Sequence, residues 1–325
     1  MKKCRLAQAT VESLTVCPFS AVFWVVVCWL LPSVACPQTI IPLDGKNKLG
    51  SVSSTEKPDR YTQADTLCYQ RWVGKAYIAL QNDSFPQAKS FFEKALQAAP
   101  RMQSNVEILF ELGQLEEREN RFDKAMEYYT RSLHKNPRYV KSLMRRGGMY
   151  LLLKDFKRAV DDFSSVLYVE AHHMDALFFR GCAYARCGWV DQAEADFSAI
   201  LQLAPLDPRT HFSLALLDLQ RHRPYDAWVR MNGLVSRCPN DSRYYATRAD
   251  AAEAMDSIVL AYRDWNSAIL LSLNDISLLE RYVDFLLRQG DKEKALEVVG
   301  QAERTGAGTA WIDLMRNRIR QSRKR

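Results

Sequence analysis

The stretch from Arg180 to Pro205, with the sequence RGCAYARCGWVDQAEADFSAILQLAP, decides the fold. Its apolar residues recur at helical spacing on both sides of Gly188, and Pro205 ends the pattern. The stretch therefore predicts two short antiparallel helices. Steps of about 34 residues from Ala193, in either direction, reach an alanine every time. The resulting series is Ala88, Ala125, Ala159, Ala193, Ala227, Ala261 and Ala295.

Two further sets of residues keep the same register as the alanines. The first set is small except at its last member: Ala76, Gly113, Gly147, Gly181, Ala215, Ala249 and Val283. The second set follows each alanine by one helical turn and is larger: Phe92, Tyr129, Phe163, Phe197, Met231, Trp265 and Val299. A small residue that faces a large one lets two helices cross at close approach. The register therefore predicts about seven helical pairs, starting near residues 69, 106, 140, 174, 208, 242 and 276.

Three segments in this register carry a family resemblance: Trp72…Ala88…Phe92…Ala95…Pro100, Leu112-Gly113…Ala125…Tyr129…Pro137 and Gly181…Tyr184…Ala193…Phe197…Pro205. They resemble the tetratricopeptide repeat (TPR), which has a period of about 34 residues. The resemblance implies an all-α fold, a right-handed superhelical solenoid of about seven TPR helix-turn-helix units with a C-terminal capping helix. The later units depart from the pattern at Asp218, Ala252 and Leu286, where it prefers an aromatic residue.

The chain divides into four predicted segments. Residues 1–35 are predicted to be a signal peptide, because positive residues precede an apolar run at 21–31 and small residues follow it. Residues 36–66 are predicted to be a linker rich in Pro, Gly, Ser and Lys. Residues 67–309 form the predicted TPR array, and residues 310–325 form a capping helix and basic tail. The capping helix is expected to bury one face, made of Trp311, Leu314, Met315 and Ile319.

The end of the apolar segment leaves several alternatives for membrane attachment. Val34-Ala35-Cys36 resembles the end of a bacterial lipobox, in which the cysteine is acylated, although Ser33 departs from that pattern. The alternatives are ordinary cleavage before Cys36, or an uncleaved segment whose uncharged residues 14–36 are long enough to span a bilayer. We expect an exported protein, in the periplasm or attached to a membrane in a bacterial cell envelope. A eukaryotic secretory protein is the alternative.

The net charge of +7 lies mainly at the two ends of the chain. The amino-terminal segment and the tail from Arg304 to Arg325 carry the excess of basic residues, so the repeat body is close to neutral. A nearly neutral body argues against a nucleic-acid groove. The sequence contains no HExxH, GxSxG or GxxxxGK(S/T) motif and no CxxC pair. We therefore predict no catalysis, no cofactor and no metal site.

The inner surface of the solenoid, formed by the first helix of each repeat, is the candidate binding groove. Large apolar residues recur at one position of four consecutive first helices: Phe110, Met144, Phe178 and Phe212. Polar residues flank this stripe: Gln114, Lys141, Arg145 and Arg209. An apolar strip rimmed by polar groups is typical of a groove for an extended or helical peptide. The alternative is that the stripe packs the helices against their neighbours.

The sequence thus favours a non-catalytic adaptor or scaffold that binds a protein or peptide partner and no nucleic acid. Two alternatives stay open. An enzyme could assemble its site from acidic residues on the inner faces of the last repeats: Asp250, Glu253, Glu280 and Asp284. A structural protein could instead assemble with itself through the ends of the array.

Overall fold

The computed structural model describes residues 61–322, in which all regular structure is helical. Seven helical pairs follow one another, and a single helix ends the described region. The pairs are α1 (Gln63–Gln81) and α2 (Phe85–Ala98), α3 (Asn105–Arg118) and α4 (Phe122–Lys135), α5 (Val140–Leu152) and α6 (Phe156–Val169), α7 (Met174–Cys187) and α8 (Val190–Leu203), α9 (Pro208–Gln220) and α10 (Pro224–Arg237), α11 (Ser242–Ala254) and α12 (Ile258–Leu271), and α13 (Ile276–Arg288) and α14 (Lys292–Arg304). The last helix is α15 (Thr309–Gln321). The predicted all-helical solenoid is confirmed.

Several predictions concern residues outside the described region. The signal peptide, Cys36 and most of the linker precede residue 61, and the last three residues of the basic tail follow residue 322. These stay predictions. Between residues 61 and 322, none of the helices combines the length and apolar character that a membrane span requires.

Each pair turns through one residue in the left-handed backbone conformation. These residues are Asp83, Asn120, Lys154, Gly188, His222, Asp256 and Gly290, with φ angles from 53° to 78°. They keep the register of the alanines, and Gly188 ends α7 as the sequence predicts. For Lys154 and His222 this conformation costs about 1–2 kcal/mol. The packing of the two helices therefore imposes the turn even where the local residue disfavours it.

The array has two edges, each formed by one kind of turn. We call the edge with the turns inside a repeat the within-repeat edge, and the edge with the turns from one repeat to the next the between-repeat edge. Aspartates begin three first helices at the between-repeat edge: Asp207, Asp241 and Asp275. Their carboxylates accept hydrogen bonds from backbone N–H groups of the first turn, which satisfies donors that lack a partner inside the helix.

The core of the array is made of the small and large residues that define the repeat register. All seven alanines have no exposed surface, and the seven larger residues that follow them are at most 1% exposed. Small residues of the first helices meet these larger residues directly. A Cβ atom added at Gly181 would lie 2.8 Å from Cε1 of Phe197. The close helix crossing predicted from the sequence is thus present in the repeats that contain Gly113, Gly147 and Gly181.

Helix α15 covers the end of the seventh repeat through one apolar face. Ile312, Met315 and Ile319 are buried in the same cluster as the residues of α13 and α14. The prediction that Leu314 lies on this face is wrong, because Leu314 is largely exposed and Ile312 is buried instead. Met315 follows Ile312 by three residues and Ile319 follows Met315 by four, so all three buried side chains lie on one side of the helix.

Candidate functional site

Side chains of neighbouring first helices contact one another along the array, so these helices form one continuous inner surface. Nη1 of Arg145 lies 3.5 Å from Oε2 of Glu117 on the preceding first helix. Nη1 of Arg209 lies 3.2 Å from Oδ1 of Asp175 in the same way. Ion pairs therefore connect neighbouring repeats along the inner surface.

The predicted apolar stripe lies mostly beneath this surface. Phe110 and Phe178 are each 6% exposed and Phe212 is 7% exposed, and each ring belongs to a cluster of core residues. Met144 is half-buried. The three phenylalanines therefore pack the helices together, as the alternative reading of the stripe expects, and leave little ring surface for a partner. A charged residue in place of one of them would test stability rather than binding.

A cation from the next repeat lies over each of these three rings. The distances from the charged group to the ring centroid are 5.9 Å for Lys141 over Phe110, 5.1 Å for Arg209 over Phe178 and 5.9 Å for Arg243 over Phe212. Such contacts between a cation and an aromatic face are attractive. In this part of the inner surface, cations therefore lie above aromatic rings, and two of the cations, Arg209 and Arg243, also pair with carboxylates.

The flanking polar residues form a network rather than a simple rim. The side-chain amide of Gln114 is oriented with its nitrogen toward Glu111 and its oxygen toward Arg145. In this orientation Gln114 donates a hydrogen bond to Glu111 (3.1 Å) and accepts one from Arg145 (3.2 Å). Lys141 is exposed, whereas Arg145 and Arg209 are half-buried. The structure thus brings Gln114, Lys141 and Arg145 close together in repeats two and three, and places Arg209 two repeats further along.

Tyrosines on the same surface stay protonated at neutral pH. Burial raises the pKa of Tyr77 to about 12, and nearby carboxylates, including that of Glu111, add to the effect. Burial also raises the pKa of Tyr139 to about 12. The pKa of Glu117 is raised by burial as well, against the opposing charge of Arg145. The tyrosine hydroxyls can therefore donate hydrogen bonds to a partner across the physiological pH range.

The acidic residues of the last repeats are already paired with donors. Glu253 accepts from both Nε and Nη2 of Arg288, at 2.8 and 2.7 Å. The other three pairs are Asp250 with Arg281, Asp284 with Arg318, and Glu280 with the indole N–H of Trp311. Four carboxylates that are held this way tie the last helices together. The described residues contain no cluster of three His, Cys, Asp or Glu side chains arranged to hold a metal ion.

An arginine clamp, which sequence reasoning missed, recurs in three repeats. An arginine of the first helix donates two hydrogen bonds, from Nε and Nη2, to an aspartate of the second helix. The pairs are Arg146 with Asp162 (2.9 and 2.8 Å), Arg180 with Asp196 (2.9 and 2.7 Å) and Arg248 with Asp264 (2.6 and 2.8 Å). The signal in the sequence is an arginine followed 16 residues later by an aspartate, in the register of the repeat.

The third guanidinium nitrogen of each clamp reaches back to the preceding repeat. Nη1 donates to a polar side chain on the preceding second helix: Thr130 (3.4 Å), Ser164 (3.2 Å) or Asn232 (2.9 Å). The hydrogen bonds to the aspartates raise the pKa of Arg146 and Arg180 above the ordinary arginine value. One arginine therefore joins three helices from two repeats, and so fixes the rotation of one repeat against the next.

Residues 79–147 match a family model described as a tetratricopeptide repeat. Two curated proteins named Tetratricopeptide repeat protein 16, from Macaca fascicularis and Homo sapiens, are each 23% identical to this chain over an alignment of 265 residues, and the match covers 65% of the chain. The matched region spans 29% of the length of each relative.

Solved structures share the fold. A tetratricopeptide repeat protein from Parabacteroides merdae is 24% identical, with a TM-score of 0.64, and the match covers 78% of this chain and 100% of that one. A chain of the APC/C hetero-tetramer Cut9-Hcn1 is 13% identical, with a TM-score of 0.52, covering 72% of this chain and 52% of that chain. PilW, a type IV pilus biogenesis factor, is 19% identical, with a TM-score of 0.50, covering 64% and 94%. Residues 61–322 therefore share the helical solenoid fold of these structures.

The arginine clamp predicts a non-additive effect on stability. Arg180→Met leaves the buried carboxylate of Asp196 without its main partner, and we expect a loss of about 3 kcal/mol in the free energy of unfolding. The double variant Arg180→Met, Asp196→Leu removes the buried charge as well, and we expect it to be more stable than the single variant. Urea unfolding measures both values.

A surface pair supplies the control for this cycle. Arg158 of α6 forms an exposed ion pair with Asp155, the residue that caps this helix, so Arg158→Met is expected to change stability by no more than about 0.5 kcal/mol. An Arg180→Met variant as stable as the Arg158→Met variant would show that the clamp contributes nothing.

Proposed function

We propose that this chain is a non-catalytic interaction scaffold that binds a protein or peptide partner on its inner surface. The observation that supports this most directly is the polar surface above the buried phenylalanines, where Lys141, Arg145 and Arg209 each contact the preceding repeat. A preorganised surface loses little side-chain freedom when a partner binds. A long array of such residues suits an extended partner better than a small substrate.

The buried stripe changes the chemistry of the proposed groove. Phe110, Phe178 and Phe212 serve as a rigid support below the cations, and Met144 supplies apolar contact at the surface. The cations then favour a partner segment that carries carboxylates or backbone carbonyls facing them. Two structural neighbours fit such a role by their descriptions, since one is part of a hetero-tetramer and another is a pilus biogenesis factor.

We also propose that the chain is exported and works in a cell envelope. The positive residues, apolar run and small residues of the first 35 positions support this proposal. Periplasmic and membrane-attached forms differ in the fate of Cys36, which is acylated, paired or left as a thiol. The mammalian origin of the two curated relatives favours the secretory pathway as the alternative route.

Protease protection tests the proposed export. In microsomes from cells that produce the full chain with a carboxy-terminal tag, we expect the tag to be shielded from protease and digested after detergent is added. In bacteria, we expect the tag to be digested once the outer membrane alone is permeabilised. Acyl labelling that disappears in Cys36→Ser would identify the lipidated form. A tag digested only when the cytosol itself is opened would contradict export.

Charge reversal on the inner surface tests the binding proposal. We expect Lys141→Glu with Arg209→Glu to reduce the capture of partner proteins about tenfold, because each reversal replaces an attraction with a repulsion. The matched control is Lys124→Glu with Lys157→Glu, which reverses two exposed lysines on second helices. Full-length wild type, variant and control serve as baits, with captured proteins quantified by mass spectrometry.

The proposal requires a set of proteins that wild type and control retain and the inner-surface variant loses. Equal capture by all three baits would contradict it. Light scattering on the same samples shows whether the variant has changed its own oligomeric state, which separates partner binding from self-assembly.

A further inference from the structure

Two turns of the array carry the same tripeptide, asparagine-aspartate-serine. They are Asn82-Asp83-Ser84, in the turn between α1 and α2, and Asn240-Asp241-Ser242, in the turn before α11. Of the ten asparagines in the chain, these two alone are followed two residues later by serine or threonine. An asparagine in this setting, with any residue except proline between, is the acceptor pattern for N-linked glycosylation of secreted proteins. We call the two tripeptides the sequons.

The sequon asparagines have no structural role that a glycan would disturb. Asn82 and Asn240 are both exposed, and neither side-chain amide forms a hydrogen bond with any part of residues 61–322. Asparagines outside the sequons differ, since Asn105 donates to a backbone carbonyl oxygen at 2.7 Å and Asn266 accepts from a tyrosine hydroxyl at 2.7 Å. A bulky, hydrophilic group therefore fits at both sequons without removing a contact.

The serines of the sequons are not explained by helix capping. Ser84 is the N-cap residue of α2, but its side chain makes no capping hydrogen bond. At the same position of repeat three, Asp155 does cap its helix. Helix α11 is capped by Asp241, which accepts a hydrogen bond of 3.0 Å from a backbone N–H, so Ser242 is not needed for that purpose.

The next repeat contains the same turn without a sequon. Asn274-Asp275-Ile276 lies 34 residues after Asn240-Asp241-Ser242, in the turn before α13. Asn274 is also exposed, and Asp275 caps its helix by accepting a backbone hydrogen bond of 3.0 Å. The repeat register therefore accounts for the asparagine and the aspartate of this turn. The serine is what makes the turn of repeat six an acceptor.

Both sequons lie outside the proposed binding surface. Asn82 follows α1 at the within-repeat edge, and Asn240 precedes α11 at the between-repeat edge. Neither belongs to the first-helix residues that form the inner surface. A glycan at either position is thus attached away from the cations at Lys141 and Arg209.

We propose that Asn82 and Asn240 are N-glycosylated. The inference rests on the export proposed above, by the secretory route. The donor is an oligosaccharide carried on a polyisoprenyl pyrophosphate, and a membrane-bound transferase catalyses the step. The side-chain amide nitrogen forms a bond to the anomeric carbon of the sugar and loses a proton. The bond from that carbon to the pyrophosphate oxygen breaks, and its electron pair leaves with the pyrophosphate.

Electrophoretic mobility before and after peptide-N-glycosidase F tests the proposal on the full chain, produced in mammalian cells. We expect wild type to lose two steps of mass, Asn82→Gln and Asn240→Gln to lose one each, and the double variant to lose none. Ser84→Ala and Ser242→Ala keep the asparagines and are expected to lose one step each. The matched control, Asn274→Gln, is expected to lose two steps, as wild type does.

A gain of modification provides a second measurement. Ile276→Ser completes a third sequon at Asn274, in a turn that matches that of Asn240. We expect this variant to lose three steps of mass on glycosidase treatment. Mass spectrometry of peptides released in heavy-oxygen water identifies each modified asparagine, because the glycosidase converts it to a labelled aspartate.

Protease protection in the same microsomes separates the two proposals. A chain that is shielded from protease but unchanged by the glycosidase would overturn the glycosylation and leave export standing. A chain that is digested without detergent would contradict export, and the glycosylation with it. A glycosidase-sensitive shift that persists in the double variant of Asn82 and Asn240 would also overturn the proposal, because the sugar would then be attached to another residue.

Discussion

The close crossing of the two helices inside each repeat is the constraint on which the rest of the structure depends. Gly181 of a first helix lies so near Phe197 of the second that no extra carbon fits between them, and Ala193 is completely enclosed. Once this contact is made, the turn between the helices has to follow. Even Lys154 then adopts a left-handed backbone, because the packed helices outweigh its local cost of about 1–2 kcal/mol.

The crossing shapes a repeat, and the arginine clamp fixes the angle between repeats. Arg146, Arg180 and Arg248 each bind their own second helix and the one before it. The next repeat also supplies the cation that covers each inner phenylalanine. The inner surface is therefore formed by the stacking of repeats, and ion pairs link some of its charged groups across neighbouring repeats.

Much of the fold could be predicted from the sequence, because the repeat register shows which residues must be small, large or buried. The register could not show how deep the stripe residue Phe178 lies, because a first helix presents that position both inward and toward the next repeat. Leu314 was misplaced because a single helix with no repeat to compare has an ambiguous apolar face. Arg180 and Asp196 belong to a pair that recurs at the same spacing in the sequence. Charged residues at helical spacing are also typical of solvent-exposed helix faces, so this spacing did not distinguish a buried ion pair from exposed charges. The groove and the amino-terminal segment remain predictions.

The stability of two glycine variants tests the central claim most directly. Gly181→Ala and Gly233→Ala both gain helix propensity, by about 1 kcal/mol, but a Cβ at Gly233 meets no atom within 4 Å. The account predicts that Gly233→Ala is stabilised, that Gly181→Ala is destabilised by about 1 kcal/mol or more, and that Phe197→Leu relieves the second effect. Equal stabilisation by both alanines in thermal unfolding would contradict the close crossing.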